Sequence, residues 1–282
     1  MNEAPSVVFA GGGCRAFWSL GVWQELSRET DNVREWAGVS AGSAMAVACA
    51  AGNVDSVVEA FQRRTAANRS NIYLGRLLKG QPAFPHEAIY RQTILETMTP
   101  EVFAALQSAS PVRILHAYVE AGKPVVRTVF GALMAYRSRR KVEGVHGPRA
   151  PHPGIGEEVV TVQDARTPDA VVDQVLSSSA SPPVTSTPKR EGRTYFDGSL
   201  VDNVPVRALS EGAKAGKVVV MLTRPAPEEK RPNSPTRLYL APQSSVPVHK
   251  WDYTSPDRIT ETFELGREDG RRYREAFQRF LG

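Results

Sequence analysis

Short uncharged apolar runs alternate with segments of helical period along most of the chain. Ser6-Val7-Val8-Phe9-Ala10 has the composition of a strand buried on both faces, and the helical spacing Phe17, Leu20, Gly21, Leu26 follows it. Val33-Arg34-Glu35-Trp36-Ala37 can supply a second strand, and the small apolar run Ala41 to Ala51 predicts a helix behind it. Further helices are expected over Val54 to Ala67, Ala88 to Met98 and Pro168 to Leu176. Val112 to Val119, Glu158 to Val162 and Lys217 to Thr223 read as strands. A charged helix with Ile259, Phe263, Phe277 and Phe280 closes the chain over Asp257 to Leu281. Strands interleaved with helices predict an α/β fold: a largely parallel central sheet covered by helices on both faces.

Two glycine-rich junctions interrupt this alternation. In Gly38-Val39-Ser40-Ala41-Gly42 a serine stands between two glycines where the second strand meets its helix. A chain that turns this sharply from strand to helix holds the serine in a strained conformation, and side chains larger than hydrogen at Gly38 and Gly42 would collide with the neighbouring elements. The pattern is that of a nucleophile elbow. With glycine at roughly 7% of residues, the five-residue match arises by chance in about one chain of this size in ten, so it needs company. Gly11-Gly12-Gly13-Cys14-Arg15, between the first strand and first helix, leaves successive backbone N–H groups open at a helix start, where they can face an anion or a developing oxyanion. A nucleotide-phosphate loop competes with that reading, but no Gly-Lys-Ser/Thr follows, and Ala16 stands where a dinucleotide fingerprint needs glycine. Arg15 is either a charge beside such a hole or a surface helix residue.

A third segment, Tyr195-Phe196-Asp197-Gly198-Ser199-Leu200-Val201-Asp202-Asn203-Val204-Pro205, puts a carboxylate at the end of a short aromatic strand. Asp-Gly is an ordinary turn former. The same carboxylate can also be the general base that a serine hydroxyl requires before it attacks a carbonyl.

Taken in order, these three pieces resemble the patatin-like phospholipases: an early glycine loop with Arg15, then Gly-x-Ser-x-Gly, then Asp-Gly followed by Asn203-x-Pro205. The likeness extends through Ser178-Ser179-Ala180-Ser181-Pro182-Pro183 and covers roughly residues 5 to 55 and 170 to 225. It implies a three-layer patatin-like α/β fold with the chain 1–282 as one acyl hydrolase domain, a less regular middle over about 68–156 and a C-terminal helix over about 257–281. It also implies Ser40 as nucleophile and Asp197 as its partner in a dyad without histidine, with Gly11, Gly12, Gly13, Cys14 and Arg15 as the oxyanion loop and Gly38 and Gly42 as the elbow glycines. The expected substrate is a lipid or other acyl ester; the alternatives are acyl transfer or thioester cleavage by the same dyad, or a weakened lipid-binding protein. Ala16 and Ser199 depart from the family pattern, each as a small residue.

Histidine chemistry offers a rival. In the hydrolase chain order Ser, Asp, His, only His249 follows Asp197, in the proline-rich stretch Pro247-Val248-His249-Lys250-Trp251. His86, His116, His146 and His152 precede the aspartate and read as loop, strand or surface residues. No His-x-x-x-His or Cys/His cluster is present, so neither a metal nor another cofactor is expected.

Composition changes the picture in three places. Cys14 and Cys49 form no Cys-x-x-Cys pair, which points to reduced thiols and a cytoplasmic setting. No apolar run approaches the roughly 18 residues that span a bilayer. A net charge of +5 favours anionic surfaces, and it is locally concentrated at Arg137, Arg139, Arg140 and Lys141, just after the apolar segment Val125 to Tyr136 with Val129, Phe130, Leu133 and Met134. That segment is either an amphipathic helix packed on the core or one lying at an anionic membrane surface as a peripheral contact. No nucleic-acid module accompanies the charge.

Overall fold

The computed structural model describes residues 4–77, 81–139, 145–146, 153–182 and 185–282. Its sheet is formed by β1 (Ser6–Phe9), β2 (Trp36–Gly38), β3 (Val112–Val119), β4 (Ile155–Thr161), β5 (Lys189–Arg190), β6 (Arg193–Asp197), β7 (Val218–Met221) and β8 (Arg237–Leu240). The helices are α1 (Phe17–Leu26), α2 (Ala41–Ala51), α3 (Val54–Ala67), α4 (Leu74–Leu77), α5 (His86–Thr97), α6 (Pro100–Ser108), α7 (Val125–Arg139), α8 (Pro168–Ser178), α9 (Glu211–Ala215) and α10 (Pro256–Leu281).

Strand order is β5-β6-β3-β2-β1-β7-β8, with β4 pairing β3 off this path. The β3-β2-β1-β7-β8 portion is parallel, whereas β4 and β6 run antiparallel to β3 and β5 antiparallel to β6. The fold is therefore a mixed, mostly parallel sheet with helices around it. β1 and β7 lie between parallel neighbours and are buried along their whole length, which is why both read as uninterrupted apolar runs.

One pairing decides where the site forms. β4 pairs residues 113–119 of β3 and so occupies one of its edges, which leaves the other edge to both β2 and β6. β2 takes the first part, with Gly38 opposite Ile114, and β6 runs in from the opposite direction with Asp197 opposite His116. The two strands end facing each other across Leu115.

The larger core lies where α1, α2, α3, α5 and α10 pack, with Phe9, Phe17, Trp18, Leu20, Met45, Phe61, Tyr253 and Phe277 inside. α1 and α10 cross so closely that a Cβ on Gly21 would sit 2.0 Å from the Phe263 carbonyl oxygen, and one on Gly266 2.1 Å from that of Trp18. Trp18 Nε1–H donates to the buried Asp269 Oδ2 at 2.8 Å across the same interface.

Several boundaries differ from the sequence reading. β2 begins at Trp36, because Val33, Arg34 and Glu35 precede the stretch that faces β3. The middle segment holds α4, α5, α6, β3 and α7, and α6 begins with Thr99 accepting from the Val102 N–H at 3.3 Å and Pro100 in the first turn. β8 is a four-residue strand added beside β7. Gly80, Arg140, Lys141, Gly144, Pro148, Pro151, His152 and Pro183 lie outside the described residues.

Candidate active site

Ser40 ends the turn from β2 into α2 with φ 55 and ψ −131, a backbone conformation that L residues rarely adopt. Such strain costs about 1–3 kcal/mol and persists only where the surroundings impose it. Here they do. A Cβ on Gly38 would lie 2.4 Å from the Gly42 carbonyl oxygen, and one on Gly42 only 2.3 Å from that of Phe9, so the elbow closes because both positions lack side chains. The Gly42 N–H donates to Val39 O at 2.9 Å and the Ser43 N–H to Ser40 O at 3.0 Å. The Ser40 N–H donates to Ser178 Oγ at 2.9 Å, and Ser178 Oγ–H donates to Leu115 O at 2.7 Å. Ser178, the last residue of α8, thus ties the elbow to the β3 residue that separates the ends of β2 and β6.

Asp197 ends β6 and is brought to the serine by that convergence: Ser40 Oγ–H donates to Asp197 Oδ2 at 2.8 Å, and both residues are buried. The second carboxylate oxygen, Oδ1, accepts the Ser199 N–H at 2.9 Å. One oxygen is anchored by the turn and the other is aimed at the hydroxyl. Gly198 fits beneath because a Cβ there would lie 2.2 Å from Leu115 O.

The glycine loop runs beside the serine, since a Cβ on Gly11 would stand 3.4 Å from Ser40 Cβ. Its first residue is clasped from three sides. Gly11 N–H donates to Asn203 O at 3.0 Å, while Gly11 O accepts Thr223 Oγ1–H at 2.8 Å and Asn203 Nδ2–H at 3.3 Å. Gly13 has φ +59, and a Cβ there would sit 2.2 Å from Lys250 O. Among the described residues the Gly12 and Gly13 N–H groups have no protein acceptor, whereas the Cys14 N–H donates to Lys250 O at 3.1 Å. The backbone amides of the five residues expected from sequence as an oxyanion loop are therefore not equivalent. The amides of Gly11 and Cys14 are consumed in holding the loop, which leaves those of Gly12 and Gly13 as donors. Arg15 folds back, its Nε–H donating to Gly12 O at 3.2 Å, and so braces the loop through its side chain.

Beneath the loop lies a buried polar chain that sequence reasoning missed. Cys14 Sγ–H donates to Asp252 O at 3.2 Å, and burial, with Asp252 nearby, pushes this thiol far above its usual range. Tyr253 OH stands 2.6 Å from His86 Nδ1, and His86 Nε2 3.3 Å from Ser179 Oγ. Burial, helped by Lys250, lowers His86 to about 3, so this imidazole is neutral at ordinary pH.

A cavity of about 190 Å³ opens above Asp197 and the glycine loop. Val129, Leu133, Phe196 and Leu200 make one wall apolar, while Arg15, Arg224, Lys250 and Asn203 bring polar groups to it. The apolar wall suits a hydrocarbon chain.

Among the described residues no histidine joins the pair. His249 is exposed in the loop before α10, and its carbonyl accepts the Asp252 N–H at 3.2 Å. His116, opposite Asp197 in register, donates from Nε2 to Gln174 O at 2.8 Å, and His146 Nε2 lies 2.7 Å from Tyr239 OH. Among the described residues no three His, Cys, Asp or Glu side chains gather as a metal site would require, and Cys14 and Cys49 are both free thiols. No helix among them is long and apolar enough to cross a membrane.

A strained serine between elbow glycines, bonded to a carboxylate on a mostly parallel sheet, has the build of the α/β serine hydrolases. The patatin-like phospholipase family model matches residues 7–210, so the chain belongs to the patatin-like phospholipases, a family of lipid acyl hydrolases. Comparison with the curated proteins finds no match. Among solved structures, VipD from Legionella pneumophila shares the fold at a TM-score of 0.52 and 11% identity, over 97% of this chain and 67% of that one. Human GIVD cytosolic phospholipase A2 gives a TM-score of 0.49 at 11% identity, over 99% of this chain and 62% of that one.

Proposed function

We propose that the protein is a serine acyl hydrolase that cleaves carboxylic esters of lipids, in the manner of a phospholipase A or lysophospholipase, through Ser40 and Asp197. The observation that carries this reading is the 2.8 Å hydrogen bond from Ser40 Oγ to Asp197 Oδ2 beside two unengaged amides. Asp197 takes the hydroxyl proton as Ser40 Oγ attacks the ester carbonyl, and the Gly12 and Gly13 N–H groups receive the oxyanion. The carbonyl then re-forms, the alcohol leaves with the proton from Asp197, and an acyl-serine remains. Water, deprotonated by Asp197, attacks the acyl-serine, and release of the fatty acid returns the proton to Ser40. None of these steps needs a metal or an organic cofactor.

The test is direct. A fluorophosphonate probe should label Ser40, and a short-chain nitrophenyl ester should be turned over by the parent protein but not by Ser40→Ala. Failure of the parent both to label and to turn over would leave a lipid-binding protein. Products formed with competing alcohol or thiol acceptors separate hydrolysis from acyl transfer.

A further inference from the structure

α7 shows apolar side chains on both of its sides. Its inner face, with Val125, Val129 and Ala132, packs against Ala117, Val119 and Phe196 of the sheet, and Val129 and Leu133 also wall the catalytic cavity. Its outer face has no protein cover among the described residues: Val126 is 85% exposed, Phe130 66%, Met134 50% and Leu133 42%. Spacings of four, seven and eight residues from Val126 place these four side chains on one side of the helix. An isolated exposed leucine needs no explanation, but a stripe along a whole helix does.

Two further observations say what covers it. The stripe is continuous with the catalytic cavity, because Leu133 belongs to both, so whatever lies on α7 also lies at the cavity mouth. Cations predominate around it: the sequence of α7 has no carboxylate and includes Arg127, and Arg15, Arg224 and Lys250 line the cavity alongside Asp197. Aliphatic and aromatic side chains flanked by cations match a lipid surface, in which acyl chains receive the apolar groups and headgroup phosphates meet the cations.

We propose that the outer face of α7 docks this protein on an anionic lipid bilayer, setting the mouth of the catalytic cavity against the membrane so that an ester-linked chain enters past Leu133. This rests on the lipid-ester reading only for its account of what docking delivers; the docking itself is measured separately.

The experiment uses full-length Ser40→Ala protein, which cannot consume the vesicles, in co-sedimentation with phosphatidylcholine liposomes with and without phosphatidylglycerol. Binding is expected to the phosphatidylglycerol liposomes and to weaken with added salt. Replacing Val126, Phe130 and Met134 together by serine should reduce partitioning at least about tenfold. In a Ser40 background the same triple replacement should leave hydrolysis of a soluble short-chain ester unchanged, which also shows that the fold survives. Equal partitioning of triple variant and parent would overturn the proposal, as would absence of binding to either liposome. Concentration-dependent dimerisation abolished by the triple replacement would overturn it too, since the stripe would then be covered by a second copy. If docking holds while Ser40 proves unreactive to the probe, the hydrolase reading fails and the membrane surface stands.

Discussion

Ser40 and Asp197 meet because their strands, β2 and β6, approach head-on along one edge of β3, with Gly38 opposite Ile114 and Asp197 opposite His116. The Ser40–Asp197 pair thus forms at a gap in the sheet rather than at its open end. Leu115, in that gap, offers its carbonyl to Ser178, which in turn holds the Ser40 amide.

If Asp197 is the base, Asp197→Asn keeps the size of the side chain and the Ser199 N–H bond to Oδ1 while removing the proton acceptor. The expected loss in kcat on a soluble nitrophenyl ester is about a hundredfold to ten-thousandfold, with circular dichroism unchanged. Parent-like kcat in this variant would remove Asp197 from the mechanism.

Ser178 is a positioning residue in this arrangement, so its removal should relax the elbow without emptying the cavity. Ser178→Ala is expected to lower kcat about tenfold to a hundredfold with little change in KM, as a small misplacement of the nucleophile does. Ser178→Thr, which keeps the hydroxyl, should recover part of the loss. A parallel rise in KM with unchanged kcat would mean that Ser178 acts on substrate binding instead.

His86 couples stability to pH. Its folded value lies near 3, below the 6.5 of an unburied imidazole, so between those limits the unfolded chain binds the proton and the folded one does not. Stability from this group is full above about pH 6.5 and declines as pH falls, by up to about 1.4 kcal/mol per pH unit. Urea unfolding at a series of pH values should show this slope, and His86→Gln should flatten it while lowering stability at neutral pH, because Tyr253 and Ser179 lose an imidazole partner.

The α1–α10 crossing leaves no room at Gly266. Gly266→Ala should destabilise the protein by about 1–3 kcal/mol, since the new methyl meets the Trp18 backbone rather than a side chain that can turn away. Thermal or urea unfolding measures this directly, and a neutral result would show that the helices can separate at little cost.

Much of the architecture was legible in local pattern. The limits of α2, α3 and β3 follow from runs whose burial is continuous or of helical period, and these signals need no knowledge of neighbours. α6 carried Thr99 and Pro100, an N-cap and first-turn signature sufficient to find it, whereas β8, four residues long, exists because β7 offers it an edge. The elbow was equally local: a serine between glycines is a statement about backbone space, which five residues contain.

Partnership was not local. Nothing in the residue order determines that β4 takes one edge of β3 and leaves β2 and β6 to share the other, yet that choice alone brings Asp197 within 2.8 Å of Ser40. The amides of the glycine loop likewise looked equivalent in sequence until Asn203 and Lys250, distant along the chain, claimed those of Gly11 and Cys14. The apolar residues of α7 were visible from the start, but which of them would find the core and which would be left facing outward depended on how the helix lay on the sheet. Local pattern sets backbone conformation because sterics and periodicity act between near neighbours; hydrogen-bond partners and exposed faces are set by packing among segments far apart in the chain.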